Sequence, residues 1–135
     1  MTAGYSGTAL AKKLGLKAGM HVWFLDMPAS VRIEIDPAAI GLTEHPAAFA
    51  GIDAAHIFVT RLDDLAREVI ALRDVLAPTG FLWVSWPKKA PKVPTDITED
   101  MIREIALPTG LVDVKVCAVD EIWSGLKLVI RKQLR

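Results

Sequence analysis

The segment from Ser85 to Lys92 carries the side chains best suited to hold an anionic ligand. It contains Trp86, followed closely by Lys88, Lys89 and Lys92. An aromatic plane can stack on a base, and neighbouring ammonium groups can hold a phosphate. A group of acidic residues follows a few positions later, so the same lysines would also suit a solvated loop with weak surface ion pairs. The sequence leaves both interpretations open.

The sequence contains few sets of residues that could form a catalytic site. Ser85, His56 and Asp26 are the residue types of a hydrolase triad, but no Gly-x-Ser-x-Gly turn surrounds Ser85. His56 lies inside an apolar run, where a core or interface histidine is expected. Cys117 alternates with apolar residues and has only Lys115 near it in sequence, which favours packing over nucleophilic chemistry. We therefore assign no catalytic residue from the sequence.

Apolar runs of strand length alternate with amphipathic segments along most of the chain. Residues 21–25, 54–60 and 81–86 are nearly continuous in apolar side chains, which is typical of strands buried in a parallel sheet. Between the last two, apolar residues recur at helical spacing over 62–76, and the segment 78–80 would stop that helix. This strand, helix and strand predict a right-handed parallel crossover.

The remaining segments give weaker signals. A short helix is expected over 9–14, capped by Ser6 or Thr8 and ended by Gly15. Within 27–53 we expect a short helix after Pro28 and a weak strand over 40–44, although residues 31–36 also alternate as a strand would.

The C-terminal third is expected to contain one helix and two strands. Asp96 and Glu99 have the spacing of a capping box at the start of the helix. Residues 111–119 and 126–130 are predicted to form two strands joined as a hairpin. The predicted fold is therefore a single α/β domain over 1–135, three-layered and Rossmann-like, with a mostly parallel sheet and a C-terminal antiparallel hairpin.

The amino-acid composition limits the kinds of partner and ligand that the protein is expected to bind. Sixteen basic and sixteen acidic side chains cancel, so no global field recruits nucleic acid or an anionic membrane. One cysteine and three scattered histidines give no metal-binding motif. No apolar run approaches the length of a membrane span, and the first residues do not resemble a signal peptide. We expect a cytoplasmic protein that binds a small anionic ligand or a protein partner and could form a homo-oligomer.

Ligands of open α/β sheets bind outside the carboxyl ends of the strands, where loop amides and helix N-termini converge. The loops at these ends, together with the turn before the last strand, supply the expected ligand-binding side chains. They are Asp26, Thr60, Arg61, Ser85, Trp86, Lys88, Lys89 and Trp123.

Several segments resemble a bacterial family catalogued as domain of unknown function 3052. They are residues 4–8, 10–15, 83–89, 96–100, 110–121 and 123–127. The resemblance implies no established activity. The layout also resembles a shortened class I methyltransferase, with a first strand that ends in an acid and a terminal antiparallel hairpin.

The turn after the first strand departs from nucleotide-binding patterns. It contains no glycine between Leu25 and Ser30, and Pro28 removes a backbone donor. We therefore expect no cofactor, and a non-catalytic or small-ligand-binding Rossmann-like module. The alternative is a degenerate methyltransferase-like protein that uses S-adenosylmethionine, or a nucleotide-handling enzyme.

Overall fold

The central sheet has six strands and follows the predicted architecture. The computed structural model describes residues 9–135. The strands are β1 (His21–Leu25), β2 (Thr43–Glu44), β3 (Ile52–Phe58), β4 (Leu76–Pro87), β5 (Leu111–Ala118) and β6 (Trp123–Ile130), in the order β2-β1-β3-β4-β6-β5. Neighbours from β2 to β4 are parallel, and β6 runs antiparallel to both β4 and β5. The α/β class and the C-terminal antiparallel hairpin are confirmed.

Helices cover both faces of the sheet and make the three layers. They are α1 (Leu10–Lys13), α2 (Ala29–Ile35), α3 (Leu62–Val75) and α4 (Glu99–Ala106), with short 3-10 turns at Leu107–Thr109 and Lys132–Leu134. Helices α3 and α4 share one apolar cluster with the sheet, and α1 and α2 share a second cluster on the opposite face. Within residues 9–135, no helix is long and apolar enough to cross a membrane.

The uncertain segment 27–53 forms the expected helix and weak strand. Val31 and Ile35 are both buried, one helical turn apart on the inner side of α2, so the alternating pattern over 31–36 is not a strand. Strand β2 has only two residues, beside the first two residues of β1.

The predicted end of α3 differs from the structure, whereas the predicted end of the first helix agrees with it. Helix α3 ends at Val75, and β4 begins at the next residue, so 78–80 belongs to the strand and does not stop the helix. A Cβ at Gly80 would lie 2.9 Å from the carbonyl oxygen of Asp53, because the backbones of β3 and β4 approach closely there. Gly15 ends the first helix with a positive φ of 75°, as expected. The predicted caps Ser6 and Thr8 lie outside the described residues.

The predicted capping box at Asp96 is wrong, because Asp96 caps a different helix. Its Oδ1 accepts a hydrogen bond from the backbone N–H of Leu62, at the start of α3, over 2.6 Å. Helix α4 is capped by Thr98, whose hydroxyl accepts from the N–H of Met101. The hydroxyl of Thr95 also donates to the carbonyl oxygen of Thr60. The chain before α4 is thus tied across the carboxyl end of β3.

Replacing Asp96 with alanine should lower the free energy of unfolding by about 1 kcal/mol, because the first turn of α3 loses its side-chain cap. Urea denaturation of the wild type and the Asp96→Ala variant measures the difference. Glu104→Ala is the control, since Glu104 is an exposed acid on α4. Equal losses in the two variants would contradict the assigned cap.

Candidate functional site

A cavity lies at the point where the strand order of the sheet reverses. The neighbours of β1 are β2 on one side and β3 on the other, so the loops after β1 and β3 diverge and leave a crevice, as in other open α/β sheets. The cavity encloses about 330 Å³. The strand ends contribute Asp26, Phe58, Thr60 and Trp123 to its lining, and α3 contributes Asp64, Arg67 and Glu68. We call it the switch-point cavity.

The turn at the mouth of this cavity adopts a backbone conformation that usually requires glycine. Asp26 has a φ of 53°, in the left-handed region that non-glycine residues visit rarely and Asp tolerates better than most. The chain can therefore turn sharply after β1 without a glycine there. The carboxylate of Asp26 is exposed at the sheet edge, where it is free to meet a ligand.

The ionisable lining of the switch-point cavity is net negative. It contains the carboxylates of Asp26, Asp64 and Glu68 against the single guanidinium of Arg67. Arg67 lies 2.8 Å from Asp64 and 3.8 Å from Glu68, so its charge is already shared. The start of α3, whose free N–H groups would attract a phosphate, already carries the carboxylate of Asp96. These charges favour a cationic ligand over a phosphate.

Two aromatic rings form the wall of the cavity toward β6. Phe58 and Trp123 meet edge to face with their ring centroids 5.2 Å apart. The turn before β6 is fixed by Asp120, whose Oδ1 accepts hydrogen bonds from the N–H groups of Ile122 and Trp123. The position of Trp123 is therefore fixed by the hydrogen bonds of this turn as well as by its contact with Phe58. Such a wall can stack on a planar or cationic ligand.

His56 and Ser85 meet in the core beside this wall. Their Nε2 and Oγ atoms are 2.7 Å apart and both side chains are buried. Burial lowers the pKa of His56 to about 3, so the ring is neutral at physiological pH. His56 stacks on Phe58 with 4.3 Å between ring centroids. Asp26 forms no hydrogen bond with either residue within 9–135, so the described structure contains no hydrolase triad.

A second, larger groove lies at the carboxyl end of β4 beside the start of α4. It encloses about 870 Å³, and Trp86, Lys88 and Lys89 line it opposite Glu99 and Asp100. Only 8% of Trp86 is exposed, and the ammonium of Lys88 donates to the carbonyl oxygen of Asp120. Charges of both signs therefore face this α4 groove.

The structure thus divides the expected ligand-binding residues among four places. Asp26, Thr60 and Trp123 come together at the switch-point cavity. Trp86, Lys88 and Lys89 line the α4 groove. Ser85 is fully buried against His56, and Arg61 is exposed before α3 and lines neither space.

Sequence analysis missed the contribution of α3 and of Phe58 to the cavity. The i,i+3 spacing of Asp64 and Arg67 indicated only a polar helix face, which is solvated in most proteins. His21 and His45 also meet at 2.8 Å. However, the described residues contain no group of three or more His, Cys, Asp or Glu that could hold a metal ion.

No protein-family model matches the sequence, and neither does any curated protein. The membership of the family of unknown function therefore stays a prediction. Solved structures do share the fold. A methyltransferase from Aquifex aeolicus that depends on S-adenosylmethionine has a TM-score of 0.62 at 15% identity, over 90% of this chain and 88% of that one.

Two further similar structures contain the methyl donor. Fibrillarin from Aeropyrum pernix, with natively bound S-adenosylmethionine, has a TM-score of 0.55 at 12% identity, over 93% of this chain and 70% of that one. Magnesium protoporphyrin IX methyltransferase from Synechocystis, also with the donor bound, has a TM-score of 0.58 at 12% identity, over 90% and 74%. The protein therefore has a methyltransferase-like Rossmann fold.

These structures correct the expectation of no cofactor. That expectation rested on the missing glycines after β1, whereas similar structures of this fold contain S-adenosylmethionine. The positive φ of Asp26 shows that the sharp turn after β1 forms without glycine, so the missing glycines do not by themselves exclude such a site. The comparisons therefore support the methyltransferase-like alternative at the level of the fold.

The buried His56 should make stability depend on pH between about 5 and 6.5. Its pKa in the fold, about 3, lies below the ordinary value of 6.5, so the unfolded chain binds a proton that the folded chain does not. The free energy of unfolding is then highest above pH 6.5. It should fall by about 2 kcal/mol between pH 6.5 and 5, since each unit is worth about 1.4 kcal/mol.

Urea denaturation across this pH range measures the slope. The His56→Gln variant should lose most of it, whatever its overall stability, while the His45→Gln variant should keep it. A slope that survives in His56→Gln would show that another group is responsible.

Proposed function

We propose that the switch-point cavity binds S-adenosylmethionine and that the protein is a methyltransferase-like enzyme. The observation that carries the proposal is the net negative lining of a cavity at the switch point of this fold. S-adenosylmethionine carries a sulfonium and an ammonium cation against one carboxylate, so its net charge is positive, and it has no phosphate. ATP and NAD both carry phosphates, which the carboxylates of Asp26, Asp64 and Glu68 would repel.

The residues present fit this group. The carboxylate of Asp26 can accept hydrogen bonds from the ammonium group or from ribose hydroxyls, and it stands where the chain leaves β1. The faces of Phe58 and Trp123 offer a π surface to a sulfonium or an adenine. A volume of about 330 Å³ lies within the usual range of small-ligand cavities.

The residues of this chain contribute position and electrostatics to methyl transfer. When bound, S-adenosylmethionine supplies a methyl group activated by its positively charged sulfur. Asp26 and the aromatic wall would orient the donor. The free-energy cost of aligning the two reactants is a large part of the activation barrier for such a displacement. His56 does not act as the general base, because it is buried and bonded to Ser85.

The α4 groove offers space for the acceptor. It adjoins the cavity at Thr95, which lines the groove and donates a hydrogen bond to the carbonyl oxygen of Thr60 in the cavity lining. An acceptor bound in the groove would have to reach past this contact to meet the methyl group, because the two reacting atoms must touch. Charges of both signs line it, with Lys89 on one side and Asp100 on the other. An acceptor with both charged and apolar parts would suit this lining.

Wild-type protein should bind S-adenosylmethionine with a saturable heat signal in calorimetry, whereas ATP and NAD should give none at the same concentrations. The Asp26→Asn variant should bind at least about 10-fold more weakly, because it loses a charge-assisted hydrogen bond while keeping a side chain that tolerates a positive φ.

Asp36→Asn is the matched control. Asp36 is also exposed and has a φ of 50°, but it caps the end of α2, so this variant should bind like the wild type. Equal losses in the two variants, or binding of ATP as strong as that of S-adenosylmethionine, would contradict the proposed site.

A further inference from the structure

Two lysines stand directly opposite each other on neighbouring strands. Lys115 of β5 pairs with Lys127 of β6 in the antiparallel register. The ammonium of Lys115 donates to the carbonyl oxygen of Lys13 over 3.1 Å, so it lies on the α1 face of the sheet. Like charges directly opposite on a sheet destabilise it. The pair therefore places two positive charges side by side on the α1 face.

Lys127 lies on the same face and is held in a partly apolar place. Its Nζ is 4.4 Å from the centre of the Phe81 ring and 3.3 Å from the position a Cβ would take at Gly15. Burial, together with the charges of Lys115 and Lys17, lowers its pKa below the ordinary value. Three ammonium groups, those of Lys17, Lys115 and Lys127, are thus near each other. We call them the lysine patch.

Within residues 9–135, no carboxylate forms an ion pair with the lysine patch. Every ion pair within residues 9–135 uses an arginine, and residues 1–8 contain no Asp or Glu. The chain as a whole carries no net charge, so the patch is a local excess of positive charge. The excess is sharpest at Lys127, where water is partly excluded.

We propose that the lysine patch binds a phosphate group, as found in a phosphate monoester or a phosphodiester. Lysine ammonium groups bind phosphate as point charges and need no planar geometry. The dianion of a phosphate monoester, or two neighbouring phosphodiester groups with one negative charge each, would offset the repulsion of several ammonium groups at once, whereas a single carboxylate would offset less of it. The Nζ of Lys127 lies against Phe81, so the electrostatic attraction there is screened less than in bulk water.

This site is distinct from the proposed cofactor site. Lys127 lies beside Trp83 in the register, while the carboxyl end of β4 is at Pro87, four residues further along the strand. The switch-point cavity is net negative and the lysine patch is positive. The two sites would therefore select ligands of opposite charge, and failure of either test leaves the other proposal intact.

Thermal unfolding of the full chain with pyrophosphate tests the proposal, with ionic strength held constant by sodium chloride. At several millimolar pyrophosphate the unfolding midpoint of the wild type should rise by roughly 3–5 °C, because the anion binds the native state. The Lys115→Gln/Lys127→Gln variant should unfold at a higher temperature than the wild type without the anion, since the repulsion is gone. It should show no rise with pyrophosphate.

The matched control removes the same charge elsewhere. Arg61 and Lys132 are exposed and lie outside the patch, the cavity and the groove, so Arg61→Gln/Lys132→Gln should respond to pyrophosphate like the wild type. If the double variant of the patch fails to fold, the single variant Lys115→Gln takes its place and should lose most of the rise. Equal rises in patch and control variants, or no rise in the wild type, would overturn the proposal.

A second arm separates the two sources of phosphate. A short single-stranded oligonucleotide replaces pyrophosphate at the same phosphate concentration. A larger rise that disappears in the patch variant supports a phosphodiester ligand, and a smaller rise with the same loss supports a free phosphate ester.

Discussion

The hydrogen bond from the N–H of Leu62 to the carboxylate of Asp96 organises the carboxyl edge of the parallel strands. It joins the start of α3 to the segment that leads into α4, more than thirty residues later in the chain. The bond from Thr95 to Thr60 holds the same segment over the end of β3. Together these contacts separate the switch-point cavity from the α4 groove. They also place a negative charge where a phosphate would otherwise bind.

The neutral composition of the chain hides a strong separation of charge. The switch-point cavity carries three carboxylates and one guanidinium, whereas Lys115 and Lys127 face each other on the α1 face and neither forms an ion pair within residues 9–135. Net charge governs long-range steering, but local charge decides which ligand is retained. The zero net charge excluded a global attraction for polyanions and said nothing about either site.

The sequence was sufficient to predict the helices and strands that are determined by local patterns of apolar residues. Continuous apolar runs located β1, β3 and β4, because strands buried on both faces are apolar throughout. Helical spacing located α3, because a helix buried on one face repeats its apolar residues every three to four positions. Contacts between distant segments leave no such trace. Asp96 has the local spacing of a capping box but bonds to α3, and His56 meets Ser85 across two strands. At Asp26 the error was of the opposite kind. The sequence has no glycine directly after β1, yet the sharp turn forms there.

The irregularity in β5 explains why the lysine patch has no acid. Residues two apart on a regular strand face the same side, so Asp113 and Lys115 would share a face and could neutralise each other. The register of β5 against β6 shifts between them, and such a bulge sends the following side chains to the opposite face.

Asp113 therefore faces α4 and forms a 2.9 Å ion pair with Arg103, whose hydrogen bond lowers the pKa of Asp113. Lys115 faces α1 and meets Lys127 instead. The extra residue in β5 thus turns Asp113, the acid nearest to Lys115 along the strand, away from the lysine patch. It leaves a positive site on a face that a regular strand would have made neutral.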